Sequence, residues 1–260
     1  MLSWIIARKE VTEALRDRRA LLSAALYALM GPAVVFMVSL APQVKSPGGA
    51  GGAALTGMIS VFTLVSAFVG GMSIAMDVVA GERERRTLLP LLLNPVGRRS
   101  VIVGKWLAVA LFSTAGLLVN LAGFALVAAI SGMPMAGGTL GFLWMLAFAL
   151  VPLALFASAL ELAISTVCRG VKEAHTYLSL LVFLPMGLGM FVVFFPRVVR
   201  DWWHILPVVG QQWQLEKWMR GGHAGIIEPM ALGVITAIAA ACMLWAAASR
   251  LEQDDAVYGN

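Results

Sequence analysis

The residues best placed to do chemistry are the run Gly81-Glu82-Arg83-Glu84-Arg85-Arg86-Thr87, the densest charge in the chain. Such a run could cradle a phosphate, present a catalytic carboxylate or grip another protein. A phosphate loop requires G-x-x-x-x-G-K-[ST], because backbone N–H groups surround the phosphates while a hydroxyl holds magnesium. Gly97…Gly104-Lys105 has the wrong spacing, and Trp106 stands where that hydroxyl belongs. His175, His204 and His223 lie far apart and none falls in H-E-x-x-H, and no G-x-S-x-G elbow occurs. Cys168 and Cys242 lack metal or redox spacing. The chain is expected to carry no catalytic, cofactor or metal site of its own.

The elements that must hold these residues are apolar. Hydrophobic residues make up 60% of the 260 positions and charged residues 13%, with a mean hydropathy of +0.87. Soluble domains carry about twice that share of charge. The runs at about 21–41, 54–80, 104–130, 140–167, 174–195 and 228–248 approach or exceed the ~20 residues that cross a hydrocarbon core. Backbone groups in lipid must pair within their own segment, so these runs read as helices. The fold class expected is all-α, a six-span polytopic membrane protein forming one domain over residues 1–260. Asn120, Asp77 and Glu161 fall inside spans, where polar groups are costly. Asn120 is a candidate for an interhelical hydrogen bond or for the pathway, and Asp77 and Glu161 sit near inner ends where water or a base is in reach.

The basic residues fix an orientation. With the N-terminus inside, the inner segments hold fourteen of the 19 Lys and Arg, and the outer segments hold Lys45, Arg197, Arg200, Lys217 and Arg220. The positive-inside rule therefore predicts both termini inside. The net charge of +5 reads as this signal, and nucleic acid is not an expected partner. Residues 1–20 read as an amphipathic helix lying in the inner interface, with a plain cytosolic helix as the alternative; Trp4, Ala7, Val11, Ala14 and Leu15 share one face and Lys9, Glu10, Glu13, Arg16 and Asp17 lie opposite. The inner connection 81–103 contains a leucine run too short to span, stopped by Asn94-Pro95. Its residues alone leave an interfacial loop and a protein-docking loop both open. The outer connection 196–227 contains Trp202, Trp203, Trp213 and Trp218, is broken at Pro207 and Gly210, and reads as short helices re-entering the membrane.

A family pattern fits these segments. Ala80 to Leu88, then Leu91-Leu92-Leu93-Asn94-Pro95-Val96 and Gly104-Lys105, resembles the signature of ABC-2-type permeases, A-G-E-[RK]-E-x-[GR]-T-L-x-x-L-L-x-x-P-[VL]-x-R…G-K. Ala7-Arg8-Lys9-Glu10 with Leu15-Arg16-Asp17-Arg18-Arg19 is similar to the elbow of that family. Lys172-Glu173-Ala174-His175-Thr176-Tyr177-Leu178 is similar to its K-E-A-[QH]-T-Y-L segment, and Leu206-Pro207-Val208-Val209-Gly210-Gln211 to the external segment of its sodium-exporter subgroup.

The resemblance implies the permease subunit of an ATP-binding-cassette exporter in the inner (plasma) membrane. Gly81, Glu82, Arg83, Glu84, Arg85, Arg86, Thr87, Leu88, Arg98 and Arg99 would form a coupling loop on a separate ATP-binding subunit, with Arg169, Lys172 and Glu173 as a second contact. Two such subunits would carry the ATP and magnesium, and a second permease copy or paralogue would complete the pathway within the lipid. Asn120, Pro207, Gly210 and Gln211 are the implied pathway or gate residues. The segment Pro42–Gly52 is too short for the large external domain of sodium-exporter permeases, so sodium is not carried over as cargo, and ions, lipids, peptides, polysaccharides and drugs stay open. An ion-gradient-driven secondary transporter and a non-transport membrane scaffold or enzyme are the alternatives.

Overall fold

The computed structural model describes residues 2–40, 50–87, 97–132, 139–195, 200–222 and 225–252. Among them all regular structure is helical: α1 (Leu2–Arg16), α2 (Arg18–Ser39), α3 (Ala50–Ala75), α4 (Arg98–Ser131), α5 (Thr139–Met145), α6 (Val151–Val167), α7 (Val171–Phe194), α8 (Val209–Met219) and α9 (Ile227–Glu252). Helix α3 continues through a π-helical segment, Met76–Gly81, into a single turn, Glu82–Glu84, and α5 joins α6 through a second π-helical segment, Leu146–Leu150. Among the described residues six helices are long and apolar enough to cross a membrane: Ala20–Ser39, Ala54–Glu84, Arg98–Ser131, Gly141–Val167, Val171–Phe194 and Ile227–Arg250. This is the all-α polytopic architecture that the hydropathy requires. The leucine run 88–96, most of the Pro42–Gly52 loop, Arg197 and His223 lie outside the described residues.

Helices α3 and α4 pack closely along their length. A Cβ on Gly116 would sit 2.9 Å from the Gly70 Cα, and one on Gly70 would sit 3.0 Å from the Phe112 carbonyl. Lipid tails are as apolar as leucine, so helices in membranes gain by packing backbones closely, and only glycine permits that here. Phe68, Leu64 and Leu117 fill this seam against Leu150 and Leu153. A second cluster, built on Ile74, Val78, Val79, Ile102 and Leu162, carries the packing down to the hairpin end, where the span Ala54–Glu84 stops and α4 begins at Arg98; the turn Glu82–Glu84 and the residues to Thr87 are called the hairpin.

Asn120 is buried in α4, and its Nδ2 donates to the Ala28 carbonyl of α2 at 2.8 Å. Pro32 explains the acceptor. It has no N–H and lies four residues after Ala28, so it leaves that carbonyl without its helical partner. A neighbouring side chain must supply the donor, because lipid cannot. Asn120 thus ties α4 to a proline break in α2.

Candidate functional site: the hairpin end

At the hairpin end α1 crosses the start of α4. Gly104 makes the crossing possible, since a Cβ there would lie 2.7 Å from the Ser3 carbonyl. The next residue, Lys105, is completely buried. Its Nζ donates to the Val78 carbonyl at 2.7 Å and to Glu10 Oε1 at 3.1 Å, and it lies 2.8 Å from Glu82 Oε1. An ammonium has three donors, and three acceptors from three elements meet it. Burial pushes the Glu10 carboxyl above its ordinary value, against the pull of Lys105. Lys9, 3.9 Å from Glu82, adds a second positive charge at the rim.

This geometry departs from the expected faces of the elbow helix at Ala7 and Glu10 and keeps them at Trp4 and Leu15. Ala7 and Glu10 face the protein, whereas Trp4 and Leu15 are exposed. The packed face of α1 is chosen by the buried lysine's need for a carboxylate, a requirement stronger than the apolar stripe.

The hairpin is joined to the α6–α7 connection as well. The Arg83 guanidinium donates from Nη1 to the Cys168 carbonyl at 2.7 Å and from Nη2 to the Thr166 carbonyl at 2.9 Å. Glu84 Oε2 accepts the Val171 N–H at 2.8 Å, at the first turn of α7, where backbone donors have no helical partner. Glu173 Oε2 accepts the Arg169 N–H at 2.7 Å and secures the same turn. Burial and the nearby Glu173 push the Cys168 thiol up, against the pull of Arg83.

The hairpin ends in a helix stop made by residues that can be named. The Thr87 N–H reaches the Glu82 carbonyl at 2.9 Å and the Arg86 N–H reaches the Arg83 carbonyl at 3.0 Å, while Arg86 has φ 59°. This is a Schellman stop with a left-handed residue just past the helix, a position that favours glycine. The family pattern has Gly or Arg at this position. Arg85 turns back to Asp77 at 2.8 Å and is otherwise exposed, as are Arg86 and Thr87.

Of the residues expected to touch a partner, Glu82, Arg83, Glu84 and Glu173 are engaged within the chain, as is Arg85 with Asp77. Arg85, Arg86, Thr87, Arg99, Arg169 and Lys172 have exposed side chains on the rim. Gly81 is buried, because a Cβ there would collide with Asp77 Oδ1. Arg98 is half-buried at the start of α4, and Leu88 falls outside the described residues. Glu10 and Lys105 were not among the expected contacts. The signal that could have found them is a lysine embedded in an apolar span, which demands a carboxylate partner.

Across nearly the whole of this architecture, from α1 to α8, the family model described as "ABC-2 family transporter protein" matches residues 4–215. The chain belongs to the ABC-2 transporter family. Among curated relatives of this ABC-2 chain, the "ABC transporter permease protein NatB" of Bacillus subtilis (strain 168) is 39% identical over 151 residues, covering 54% of this chain and 38% of that protein. The "Probable ABC transporter permease protein NosY" of Pseudomonas aeruginosa is 30% identical over 126 residues, covering 47% of this chain and 44% of that one. Its namesake in Stutzerimonas stutzeri is 28% identical over 154 residues, covering 54% and 49%. The aligned part therefore spans less than half the length of each of these permeases.

At the opposite end, the ABC-2 chain places Pro207, Gly210 and Gln211 where a short helix enters the bundle. The Asp201–Ile205 3-10 turn leads through Pro207 to Val208, whose φ of 77° is strained for a β-branched residue. Gln211 Oε1 accepts the Val208 N–H at 2.6 Å, and its Nε2 donates to Thr236 Oγ1 of α9 at 2.8 Å. Gln212 Nε2 donates to the Gly189 carbonyl of α7 at 3.1 Å, and Glu216 accepts from Ser60 of α3 at 3.0 Å. Helix α8 is therefore bonded to three spanning helices. Of its tryptophans, Trp218 is buried against Phe142 as part of the core, a correction to its expected place in an interfacial belt. Trp213 stacks on His204 with ring centroids 4.3 Å apart.

Glu161 also departs from expectation. It was expected to reach water or a base, yet it is 1% exposed and neither carboxyl oxygen has a hydrogen-bond partner among the described residues.

Proposed function

We propose that this chain is the permease subunit of an ATP-binding-cassette exporter. It forms the pathway together with a second copy or a paralogue in the inner (plasma) membrane. Separate ATP-binding subunits, two per transporter, dock on the hairpin end and carry the ATP and magnesium. The observation that carries this reading is the wiring of that end. Lys105 joins the elbow, the π-helical segment and the hairpin, while Arg83 and Glu84 join the hairpin to α6 and α7. A push on the hairpin is then delivered to α1, α3, α4, α6 and α7 together. Around it stands a cationic rim of Arg85, Arg86, Arg99, Arg169 and Lys172 suited to an acidic groove on the partner.

In this reading ATP closes the two nucleotide-binding subunits, their docked hairpins approach, and the bundle rocks toward release on the far side. Only a difference in ATP affinity between the two states can drive the change. Helix α8, tied to α3, α7 and α9 by side-chain bonds that can break and reform, serves as the gate on that side, with Gln211 as its latch. The test is co-purification of the permease with the product of a neighbouring reading frame that carries a phosphate loop. Recovery of a nucleotide-hydrolysing complex through the hairpin is expected. A permease that transports with no such companion would defeat the reading.

A further inference from the structure

Glu161 lies six residues before the end of α6, about 9 Å along the axis from that end. Burying a carboxylate there without a partner is costly, and such intramembrane groups either pair or carry a function. The other deeply buried ionisable group at the hairpin end, Lys105, is fully partnered. Nothing among the described residues does the same for Glu161.

One feature on the same face of α6 gives the carboxyl a lever. Ser165, four residues on, accepts the Ala80 N–H at 3.2 Å and so seals α6 against the π-helical segment. That segment runs directly into Glu82. π-Helical segments concentrate at functional sites, and this one sits between the buried acid and the hairpin.

We infer that Glu161 is a proton-binding site of the transport cycle, holding a proton while α6 is sealed against the π-helical segment and releasing it toward the hairpin side when the seal opens. The inference rests on the permease reading above. In the release step the carboxyl O–H bond breaks, the electron pair stays on the carboxylate and the proton passes to water admitted where α6 parts from the π-helical segment at Ser165 and Ala80. Resealing reverses the step, and no further reactant is required.

The ionisable groups on the elements packed against α6 are few. Asp77, in the π-helical segment, pairs with Arg85. On α4, Arg98 and Arg99 stand at the first turn and Lys105 is held by Glu10 and Glu82. Helix α7 offers Lys172, Glu173, His175 and Tyr177, and α9 offers Glu228, which pairs with Lys217, together with Cys242 and Arg250. None forms an ion pair or a hydrogen bond with Glu161.

The first test uses the full-length chain in lipid nanodiscs. Infrared difference spectra between wild type and Glu161→Gln at neutral pH should show the C=O band of a protonated carboxyl that the variant lacks. Glu161→Met provides the same subtraction if the amide variant does not fold. Only carboxylate bands in that difference would overturn the site. The second test uses the complex with its ATP-binding partner. ATP turnover in wild type should carry a limb of up to about tenfold per pH unit, the slope of a single proton, which Glu161→Gln flattens. An unchanged limb in an assembled complex overturns the release step. If no complex forms, the permease reading fails, while the infrared result still decides whether the site holds a proton.

Discussion

Lys105 illustrates how a single residue determines what its neighbours do. Once the ammonium is buried it must collect acceptors, and Glu10, Glu82 and the Val78 carbonyl are recruited from three separate stretches of chain. Lys105→Met should destabilise the protein by about 3–5 kcal/mol, because the two carboxylates then lose their buried cation and keep only the exposed Lys9 at the rim. Adding Glu10→Gln and Glu82→Gln to Lys105→Met should recover most of the loss, as thermal unfolding in detergent will show. Full recovery of partner docking is not expected from the triple variant, since the joint between elbow and hairpin is gone. Arg86 offers the opposite case. Its left-handed backbone is tolerated with strain, so Arg86→Gly should raise stability by up to about 1 kcal/mol, and a fall would show that its side chain matters more than its φ.

At the scale of elements, the spans were legible because hydropathy is additive over twenty residues and lipid admits few alternatives. The expected runs and the observed helices differ mainly at their ends, where α3 runs on through the π-helical segment to Glu84. What the sequence did not disclose were bonds between distant backbone and side-chain atoms. The Arg83 contacts with the Cys168 and Thr166 carbonyls have no periodicity, since backbone acceptors look alike at every position. The partner of Asn120 was hidden for the same reason, although Pro32 marked the freed carbonyl four residues upstream. A double-mutant cycle tests that link. Asn120→Leu should cost on the order of 0.6–1.7 kcal/mol in the native background, the range for interhelical bonds in membranes. In a Pro32→Ala background the cost should largely vanish, because Ala28 then regains a helical donor. Equal costs in the two backgrounds would show that Asn120 acts on something other than the orphaned carbonyl.

For the whole molecule, the division between inward and rim charges separates two ways of losing a complex. Charge reversal at Arg169 or Lys172 acts on exposed side chains, where surface electrostatics contribute little to folding. These variants should insert and unfold like wild type but recover less ATP-binding partner, with a deficit that grows when low salt strengthens the remaining contacts in wild type. Glu82→Lys should behave differently, because it sets a second ammonium against Lys105 in a buried space and loosens the elbow before any partner is present. Its unfolding temperature should fall and its partner recovery should fall with it. The double variant Arg83→Ala with Glu84→Ala occupies the informative middle. It leaves two carbonyls without their guanidinium, a loss of about 1–3 kcal/mol that the bundle can survive, removes the acceptor of the Val171 N–H, and so cuts the strap from hairpin to α6–α7 without touching the cationic rim. The complex should therefore still be recovered while ATP hydrolysis no longer moves α6 and α7, read as a spin-label distance across the α7–α8 end that stays fixed on adding ATP. If that distance changes as in wild type, force reaches these helices through Arg169 and Lys172 directly, and the strap is only a brace.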